Sequence, residues 1–204
     1  MSAGAHTVSV PAVRVAAIVL AAGEATRYGS QKLLSPLRGR PLLQHAIDAA
    51  NMSSLETVVI VLGADADEIA RRVAVGRARI VRNPEYATGQ ASSLRAGVRA
   101  IASDADAVVV LLGDQPLVTS ALLDAIATRH RETAAAAVVC VQDGRRSPPT
   151  LLHRDLFPAI HELRGDVGAR EILARRSDVV TLDVDPALAG LNDIDTPADL
   201  ERLP

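Results

Sequence analysis

Short apolar runs alternate with amphipathic segments along most of this chain, which is typical of β–α–β units. The most apolar runs are rich in Val, Ile and Leu, as expected of strands that are covered on both faces. Because helices must then lie on both faces of the sheet, the pattern predicts an α/β fold: a three-layer α/β/α sandwich around a mostly parallel, Rossmann-like sheet. The predicted strands are residues 15–22, 57–63, 78–83 and 107–116.

Segments with helical periodicity follow these strands. Pro41 begins the first of them, and proline is favoured at the first position of a helix. Acidic residues begin the second, where they interact favourably with the helix dipole. The predicted helices are residues 41–52, 65–74, 92–103 and 119–132.

The last third of the chain is less regular. Residues 134–144 predict a strand, and the Pro-containing residues 145–156 predict an edge strand or a loop, because proline cannot donate to a sheet ladder. A helix over 166–176 and a strand over 178–184 follow. Thr196 and Pro197 suit the N-cap and first position of a terminal helix. No long linker divides the chain, so we expect a single domain over residues 15–204, preceded by a flexible tail over residues 1–14.

Composition excludes several function classes. The net charge is -2 and there is no basic block, which argues against nucleic acid as a partner. Cys140 is the only cysteine and lies in an apolar run, which excludes an internal disulfide and favours a buried, inert thiol. The longest apolar stretch is too short to cross a bilayer, and the first residues lack the apolar core of a signal peptide. We therefore expect a cytoplasmic protein with no membrane partner.

The loop after the first strand, "GEATRYGSQK", carries two glycines and two cations, Arg27 and Lys32. It matches neither the Walker A motif nor the GxGxxG fingerprint. Glycines nevertheless let the backbone approach an anion, and both cations can pair with phosphate oxygens. From spacing alone, a phosphate-binding loop and a solvated turn are equally good interpretations.

Asp114 follows the most apolar strand, in "LLGDQP". A carboxylate there could hold Mg²⁺ together with substrate phosphates, or it could simply turn the chain. In open parallel sheets, ligands bind beyond the carboxyl ends of the strands, where the strand order reverses. If the ends of the first and fourth strands meet at that point, Gly23 and Asp114 face one ligand.

Two further loops carry candidate polar groups. Gly89, Ser92 and Ser93 precede a predicted helix, whose first N–H groups could bind an anion or carbonyl, while Ser92 could be an ordinary N-cap. Near the end of the chain, Asp193 and its neighbours Asn192 and Asp195 could complete a metal site with Asp114, or could cap the terminal helix.

Five segments in order resemble the nucleotidyltransferases of molybdenum-cofactor synthesis: "LAAGEATRYGSQKLL", "GQASSLRAG", "LLGDQP", "LRGDVGAREIL" and "NDIDTPADL". The resemblance is greatest to the cytidylyltransferase branch, the MobA-like NTP transferase domain, and runs from residue 15 to residue 203. It implies a nucleotide-diphospho-sugar-transferase-like fold. It also implies Mg²⁺-dependent transfer of a cytidylyl group from CTP to a phosphorylated acceptor such as molybdopterin, with a molybdoenzyme as the partner that receives the cofactor.

The resemblance also implies roles for individual residues. The opening signature would wrap the triphosphate, and in this chain it comprises Leu20, Ala21, Ala22, Gly23, Arg27 and Lys32. Asp114 corresponds to a Mg²⁺ ligand and acts in catalysis with Arg27 and Lys32, while Asn192 or Asp193 corresponds to the second metal-side group. A segment beside the base and ribose corresponds to Pro84, Gly89 and Ser93. The guanylyl branch has LAGG where this chain has "LAAG", which favours cytidine.

The chain departs from the family pattern in two places, and the first departure bears on the acceptor more than on the nucleotide. Residues 146–150 are "RSPPT" where the branch has a Gly-His-Pro element, and Glu24 replaces a small or polar residue. Two alternatives therefore remain. One is an NAD(P)H-dependent oxidoreductase of the nicotine-blue-reductase type on the same fold, and the other is a non-catalytic cofactor-binding or chaperone module.

Overall fold

The computed structural model describes residues 13–23 and 31–203, so residues 1–12 of the predicted tail lie outside the described residues. The strands of the described part are β1 (Val15–Ala21), β2 (Pro36–Leu37), β3 (Arg40–Pro41), β4 (Thr57–Leu62), β5 (Arg79–Arg82), β6 (Ala107–Leu112), β7 (Ala137–Gln142), β8 (Arg145–His153) and β9 (Val179–Asp183). The α-helices are α1 (Leu42–Met52), α2 (Ala66–Arg72), α3 (Gln90–Ile101), α4 (Ser120–Thr133), α5 (Phe157–Glu162), α6 (Ala169–Leu173) and α7 (Pro197–Glu201).

Seven strands form one sheet in the order β5–β4–β1–β6–β8–β7–β9. Strands β5, β4, β1 and β6 are parallel, β9 is parallel to β7, and β8 is antiparallel to both of its neighbours. The chain runs outward from β1 to β5 and then returns to β6 on the other side of β1. The switch point therefore lies between β1 and β6, the first and fourth predicted strands.

Helices cover both faces of this sheet. One apolar core joins it to α1, α2 and α4 through residues such as Ile47, Ile69 and Leu123. The other core joins it to α3, α5 and α6 through residues such as Leu94 and Ile160. The three-layer α/β/α prediction is confirmed. None of the described helices is long and apolar enough to cross a membrane.

Residues 145–153 form a strand, β8, as one of the two predictions for this segment has it, but the predicted position at a sheet edge is wrong. Strand β8 lies inside the sheet, between β6 and β7. Its register against β7 shifts so that Thr150 pairs with Val139 while Ser147 pairs with Cys140. Pro148 and Pro149 fall in this shift and beyond the last pair with β6, Val110 with Thr150. A bulge leaves residues outside the ladder, so it accommodates two residues that have no N–H to donate.

Other differences concern helix boundaries. Helix α5 was not predicted, and α6 covers only the middle of the predicted 166–176 segment. Helix α3 begins at Gln90 rather than at residue 92. The terminal helix is confirmed: the Thr196 side chain caps α7, Pro197 is its first residue, and Asp199 completes a capping box.

Arg77 joins the end of α1 to the start of β4. Its guanidinium donates to the carbonyl oxygens of Asn51 (2.9 Å), Ala50 (3.0 Å), Ser53 (3.0 Å) and Glu56 (3.1 Å). The last carbonyls of a helix have no partner within the helix, so a side-chain donor is needed to satisfy them.

We expect Arg77→Ala to lower the free energy of unfolding by about 2–3 kcal/mol, because hydrogen bonds to a charged donor are the stronger ones. Urea denaturation measures this change. Arg131→Ala is the matched control. Arg131 is exposed on α4, and its side chain has no hydrogen bond or ion pair within the described residues. This substitution should change the free energy of unfolding by less than about 0.5 kcal/mol. Equal effects of the two substitutions would contradict the assigned role of Arg77.

Candidate active site

A cavity of about 520 Å³ opens at the switch point, and we call it the first cavity. The end of β1 and the residues after it supply part of the wall: Leu20, Ala21, Ala22 and Gly23. Other elements supply Lys32, Gly89, Ser93 and Asp114. The fold thus brings eight of the residues singled out in the sequence to one cavity.

Lys32 and Asp114 form an ion pair in the first cavity, with 2.8 Å between Lys32 Nζ and Asp114 Oδ2. Lys32 lies in a 3-10 helix whose next two residues, Leu33 and Leu34, are buried, which fixes its position. Asp114 follows Gly113, whose N–H donates to Leu20 O at 2.9 Å. A Cβ at Gly113 would lie 2.8 Å from Leu43 Cδ1 and 3.2 Å from Ala21 Cβ, so a larger residue there would have to displace the Leu43 side chain.

Asp193 lies on the loop after β9, and this loop is tied to Asp114. The N–H of Ile194 donates to Asp114 O at 3.0 Å. Desolvation of the Asp193 carboxyl group, followed by the negative charge of Asp114, raises the pKa of Asp193 to about 6. Although Asp193 does not line the first cavity, its carboxyl group is therefore close enough to Asp114 to respond to its charge.

The neighbours of Asp193 are placed differently. Asp195 Oδ1 lies 3.5 Å from Lys32 Nζ, which gives the ammonium a second carboxylate. Asn192 is exposed, and within the described residues its side chain forms no hydrogen bond. Asp193 is exposed as well, but of the two residues only Asp193 interacts electrostatically with Asp114 within the described residues.

The start of α3 differs from the prediction. Gly89 is the N-cap, so Ser92 lies inside the helix, and its hydroxyl donates to Gly89 O at 2.9 Å. The N–H groups of Gln90, Ala91 and Ser92 donate to Asp166 Oδ1, Gly165 O and Gly89 O. The expectations of a Ser92 cap and of free N–H donors at these positions are therefore wrong.

Gly89 allows this arrangement. Its φ is +107°, and a Cβ there would lie 2.3 Å from the carbonyl carbon of Gly165. The segment before α3 thus packs directly on the Gly165–Asp166 backbone, which only glycine permits.

Asn83 fixes the position of Ser93 beside the first cavity. The buried Asn83 amide donates to Ser92 Oγ (2.8 Å) and Ser93 Oγ (3.0 Å). Pro84, the next residue, is exposed and does not line the first cavity. Asn83 points inward at this turn while Pro84 faces solvent, and the nucleotide contact predicted for Pro84 stays a prediction.

Two predicted features of the opening loop fall outside the described residues. Arg27, and Glu24 before it, lie within residues 24–30. The proposed phosphate role of Arg27 therefore stays a prediction from the sequence.

Sequence reasoning gave no role to Gln115, which is completely buried beside Asp114. Its Nε2 donates to Leu191 O at 2.9 Å and lies 3.3 Å from both Ser147 Oγ and Pro148 O. Gln115 thus holds the loop that carries Asp193 and the bulge of β8 against the Asp114 loop. Asp166 was also missed, although "LRGDVGAREIL" was one of the matched segments.

The first cavity offers oxygen donors but no complete metal cage. Within the described residues there is no group of three or more His, Cys, Asp or Glu side chains that could hold a metal ion. Cys140 is buried in β7, as predicted, and burial raises the pKa of its thiol to about 12, which disfavours the reactive thiolate. The buried His130 is also structural, because its Nδ1 lies 3.0 Å from Ala135 O.

Comparison with known proteins shows the family to which this chain belongs. The family described as the MobA-like NTP transferase domain matches residues 17–179. Nicotine blue oxidoreductase of Paenarthrobacter nicotinovorans is 33% identical over 197 residues, which cover 93% of this chain and 96% of that protein.

Solved structures agree with the fold. The homologue of Mycobacterium tuberculosis Rv0371c from Mycobacterium sp. strain JC1 is 31% identical, with a TM-score of 0.81 over 93% of this chain and 94% of that chain. The manganese complex of Rv0371c from Mycobacterium tuberculosis H37Rv is 27% identical, with a TM-score of 0.75 over 93% and 97%. A structure named as a nucleotidyl transferase shares the fold at 22% identity, and one named as a 4-diphosphocytidyl-2C-methyl-D-erythritol synthase shares it at 16%, which supports the fold alone.

Proposed function

Because the chain belongs to the MobA-like NTP transferase domain family, we propose that it transfers a cytidylyl group from CTP to a phosphorylated acceptor. An oxygen of the acceptor phosphate would attack the α-phosphorus of CTP. The bond from that phosphorus to the bridging oxygen would break, and pyrophosphate would leave with the electron pair. Such a reaction depends on positioning and charge neutralisation rather than on a protein nucleophile.

The observation that carries this proposal is the Lys32–Asp114 pair within one cavity at the switch point. Lys32 would hold phosphate oxygens and, with Arg27, would stabilise the charge that collects on the leaving pyrophosphate. The backbone of residues 20–23 would lie along the triphosphate, and Gly89 and Ser93 would contact the base and ribose. The "LAAG" sequence is what favours CTP over GTP.

The carboxylates fit Mg²⁺. Asp114 and Asp193 supply hard oxygen donors on two loops that the Ile194 N–H to Asp114 O hydrogen bond (3.0 Å) joins, and Mg²⁺ is commonly held by one or two carboxylates together with substrate phosphates. When bound, the metal would neutralise phosphate charge and polarise the α-phosphate. A manganese complex is known for one structural relative, which supports a divalent metal in this fold.

The acceptor is assigned from sequence resemblance alone. Molybdopterin remains our proposal for it, with a molybdoenzyme as the protein that receives the product. The proposal rests on the resemblance of the five sequence segments. Residues 146–150, "RSPPT", replace the Gly-His-Pro element of the molybdopterin branch, and this difference bears on the acceptor.

One observation favours a second function. The relative that is 33% identical over 93% of this chain is named an oxidoreductase. We propose as the alternative an NAD(P)H-dependent reductase on the same scaffold. The chain has no GxGxxG with a ribose-binding acid about 20 residues later, which makes this alternative weaker.

We expect CTP with Mg²⁺ to raise the melting temperature in a panel of CTP, GTP, ATP, NADH and NADPH, each tested with and without Mg²⁺. A ligand at about 100 times its dissociation constant adds about 2.7 kcal/mol, which is roughly 5–10 °C for a chain of this size. Differential scanning fluorimetry measures the shift.

The panel separates the alternatives. A shift with NADPH alone would favour the reductase, and CTP binding without pyrophosphate release in the presence of acceptor candidates would favour a non-catalytic module. If no nucleotide changed the melting temperature, both enzymatic proposals would be wrong.

A further inference from the structure

A second cavity, of about 830 Å³, adjoins the first. The two share the side chains of Leu20, Gln90 and Leu112 as a common wall. A molecule in the second cavity would therefore lie next to a nucleotide held in the first, which is where a group-transfer reaction needs its second substrate.

The floor of the second cavity is apolar. Buried side chains from four elements form it: Leu94, Val110, Val139 and Leu173. Pro148 of the β8 bulge adds to the same surface. Apolar floors with a few polar groups at the edge are typical of sites for ring-sized organic ligands.

The charged groups of the second cavity are all cationic. Arg145, Arg146 and Arg170 line it, and no Asp or Glu of the described residues does. None of the three guanidinium groups has a hydrogen bond or an ion pair within the described part of the chain. All three are exposed, and what distinguishes them from other unpaired arginines such as Arg131 and Arg175 is that they line one cavity together.

The two cavities differ in the sign of their charges. The first cavity combines Lys32 with Asp114 and Asp166, a mixture that suits phosphates accompanied by a metal ion. The second cavity has cations alone, which suits an anion that arrives without a metal. Guanidinium groups also match the planar, bidentate geometry of phosphate and carboxylate oxygens.

The loop that carries two of these arginines is held in place. Asp143 and Gly144 form the turn between β7 and β8 with φ of 51° and 73°, and Gln142 pairs with Arg145 across it. The Gln142 amide donates to Ala189 O (2.8 Å) and accepts from Leu191 N (3.1 Å). The cationic edge is thus fixed to the same loop that carries Asp193.

We propose that the second cavity binds the acceptor, and that the acceptor is an organic anion whose ring-sized apolar body lies on the floor while Arg145, Arg146 and Arg170 hold its charged group. The assignment as acceptor rests on the proposed nucleotidyl transfer. The anion site itself rests only on the cavity, its floor and its three unpaired guanidinium groups.

Riboflavin and flavin mononucleotide are suitable probes, because they share a fluorescent ring system and differ only in a phosphate group. We expect flavin mononucleotide to bind about tenfold more tightly than riboflavin, because only its phosphate can accept charge-assisted hydrogen bonds from the guanidinium groups. Arg146→Gln and Arg170→Gln should each remove most of this preference and leave riboflavin binding unchanged. Fluorescence titration measures both affinities, and the preference should fall with added salt.

Arg175→Gln is the matched control, because Arg175 is exposed just beyond α6, does not line the second cavity and has no partner within the described residues. It should keep the full preference, and so should Lys32→Met in the first cavity. Equal affinity for the two flavins overturns the proposal. So does a preference that is lost in Lys32→Met but kept in the arginine variants, because the phosphate would then lie in the first cavity.

The outcome is independent of the nucleotide test. If the arginine-dependent preference holds while CTP with Mg²⁺ gives no melting shift, the anion site stands and the nucleotidyl-transfer proposal fails. If CTP with Mg²⁺ binds while the flavins do not differ, the transferase proposal stands and the second cavity is not an anion site.

Discussion

Replacing Asp114 by Asn should change CTP binding in opposite directions with and without Mg²⁺. Without the metal, a carboxylate beside the triphosphate repels it, so Asp114→Asn should bind CTP about tenfold more tightly, a change that a single nearby like charge can produce. With Mg²⁺, the same substitution removes a metal ligand, so the enhancement of CTP affinity by Mg²⁺ should disappear. The rate of pyrophosphate release should fall by about 10²–10³, as for other preorganised charged contacts.

Isothermal titration calorimetry of CTP, with Mg²⁺ or with a chelator, measures both effects. Asp104→Asn is the matched control. Asp104 lies before the start of β6, whereas Asp114 follows its end, and Asp104 Oδ2 lies 3.7 Å from Arg79 Nη2. It should bind CTP like the unaltered chain under both conditions. A merely structural role for Asp114 would weaken binding under both conditions, and that result would falsify the assignment of Asp114 as a metal ligand.

The sequence predicted most of the sheet because its strands are buried on both faces. Short, uninterrupted apolar runs such as those of β4 and β6 are typical of parallel strands buried on both faces. Strand β8 has no such signal, because its first five residues are Arg145, Arg146, Ser147, Pro148 and Pro149. Its place inside the sheet depends on the bulge opposite β7, which is a tertiary feature. The "DG" at residues 143–144 was nevertheless a usable hairpin signal between two strands.

The candidate site was predictable to the extent that topology decides it. Parallel strands that reverse order at β1 and β6 bring Gly23 and Asp114 to one edge, whatever the details of the loops. The role of Gln115 was not predictable, because its partners Ser147, Pro148 and Leu191 are distant in sequence. One compositional signal was overlooked. The chain has 21 arginines and a single lysine, Lys32, which sets this position apart from every other Lys or Arg position.

Lys32→Met should weaken CTP binding both with and without Mg²⁺, by about 10- to 100-fold, because it removes a charge-assisted contact worth about 1.5–3 kcal/mol. This pattern differs from that of Asp114→Asn, in which the two conditions change in opposite directions. Calorimetry under the same two conditions distinguishes the patterns. An unchanged CTP affinity in Lys32→Met would contradict a phosphate-binding role for this side chain.

In the free protein, however, Lys32 is already occupied by Asp114 at 2.8 Å, with Asp195 at 3.5 Å. If Asp114 binds a metal and Lys32 binds phosphates, this ion pair must separate when CTP and Mg²⁺ arrive together. Since the chain has a single lysine, reductive ¹³C-methylation gives one side-chain NMR signal, whose chemical shift reports the ion pair. We expect CTP with Mg²⁺ to shift that signal in the unaltered chain, and Asp114→Asn to shift it before any ligand is added. A signal that stays at its free-protein position while CTP and Mg²⁺ are bound would mean that the pair is structural, and that the phosphates are held by other residues.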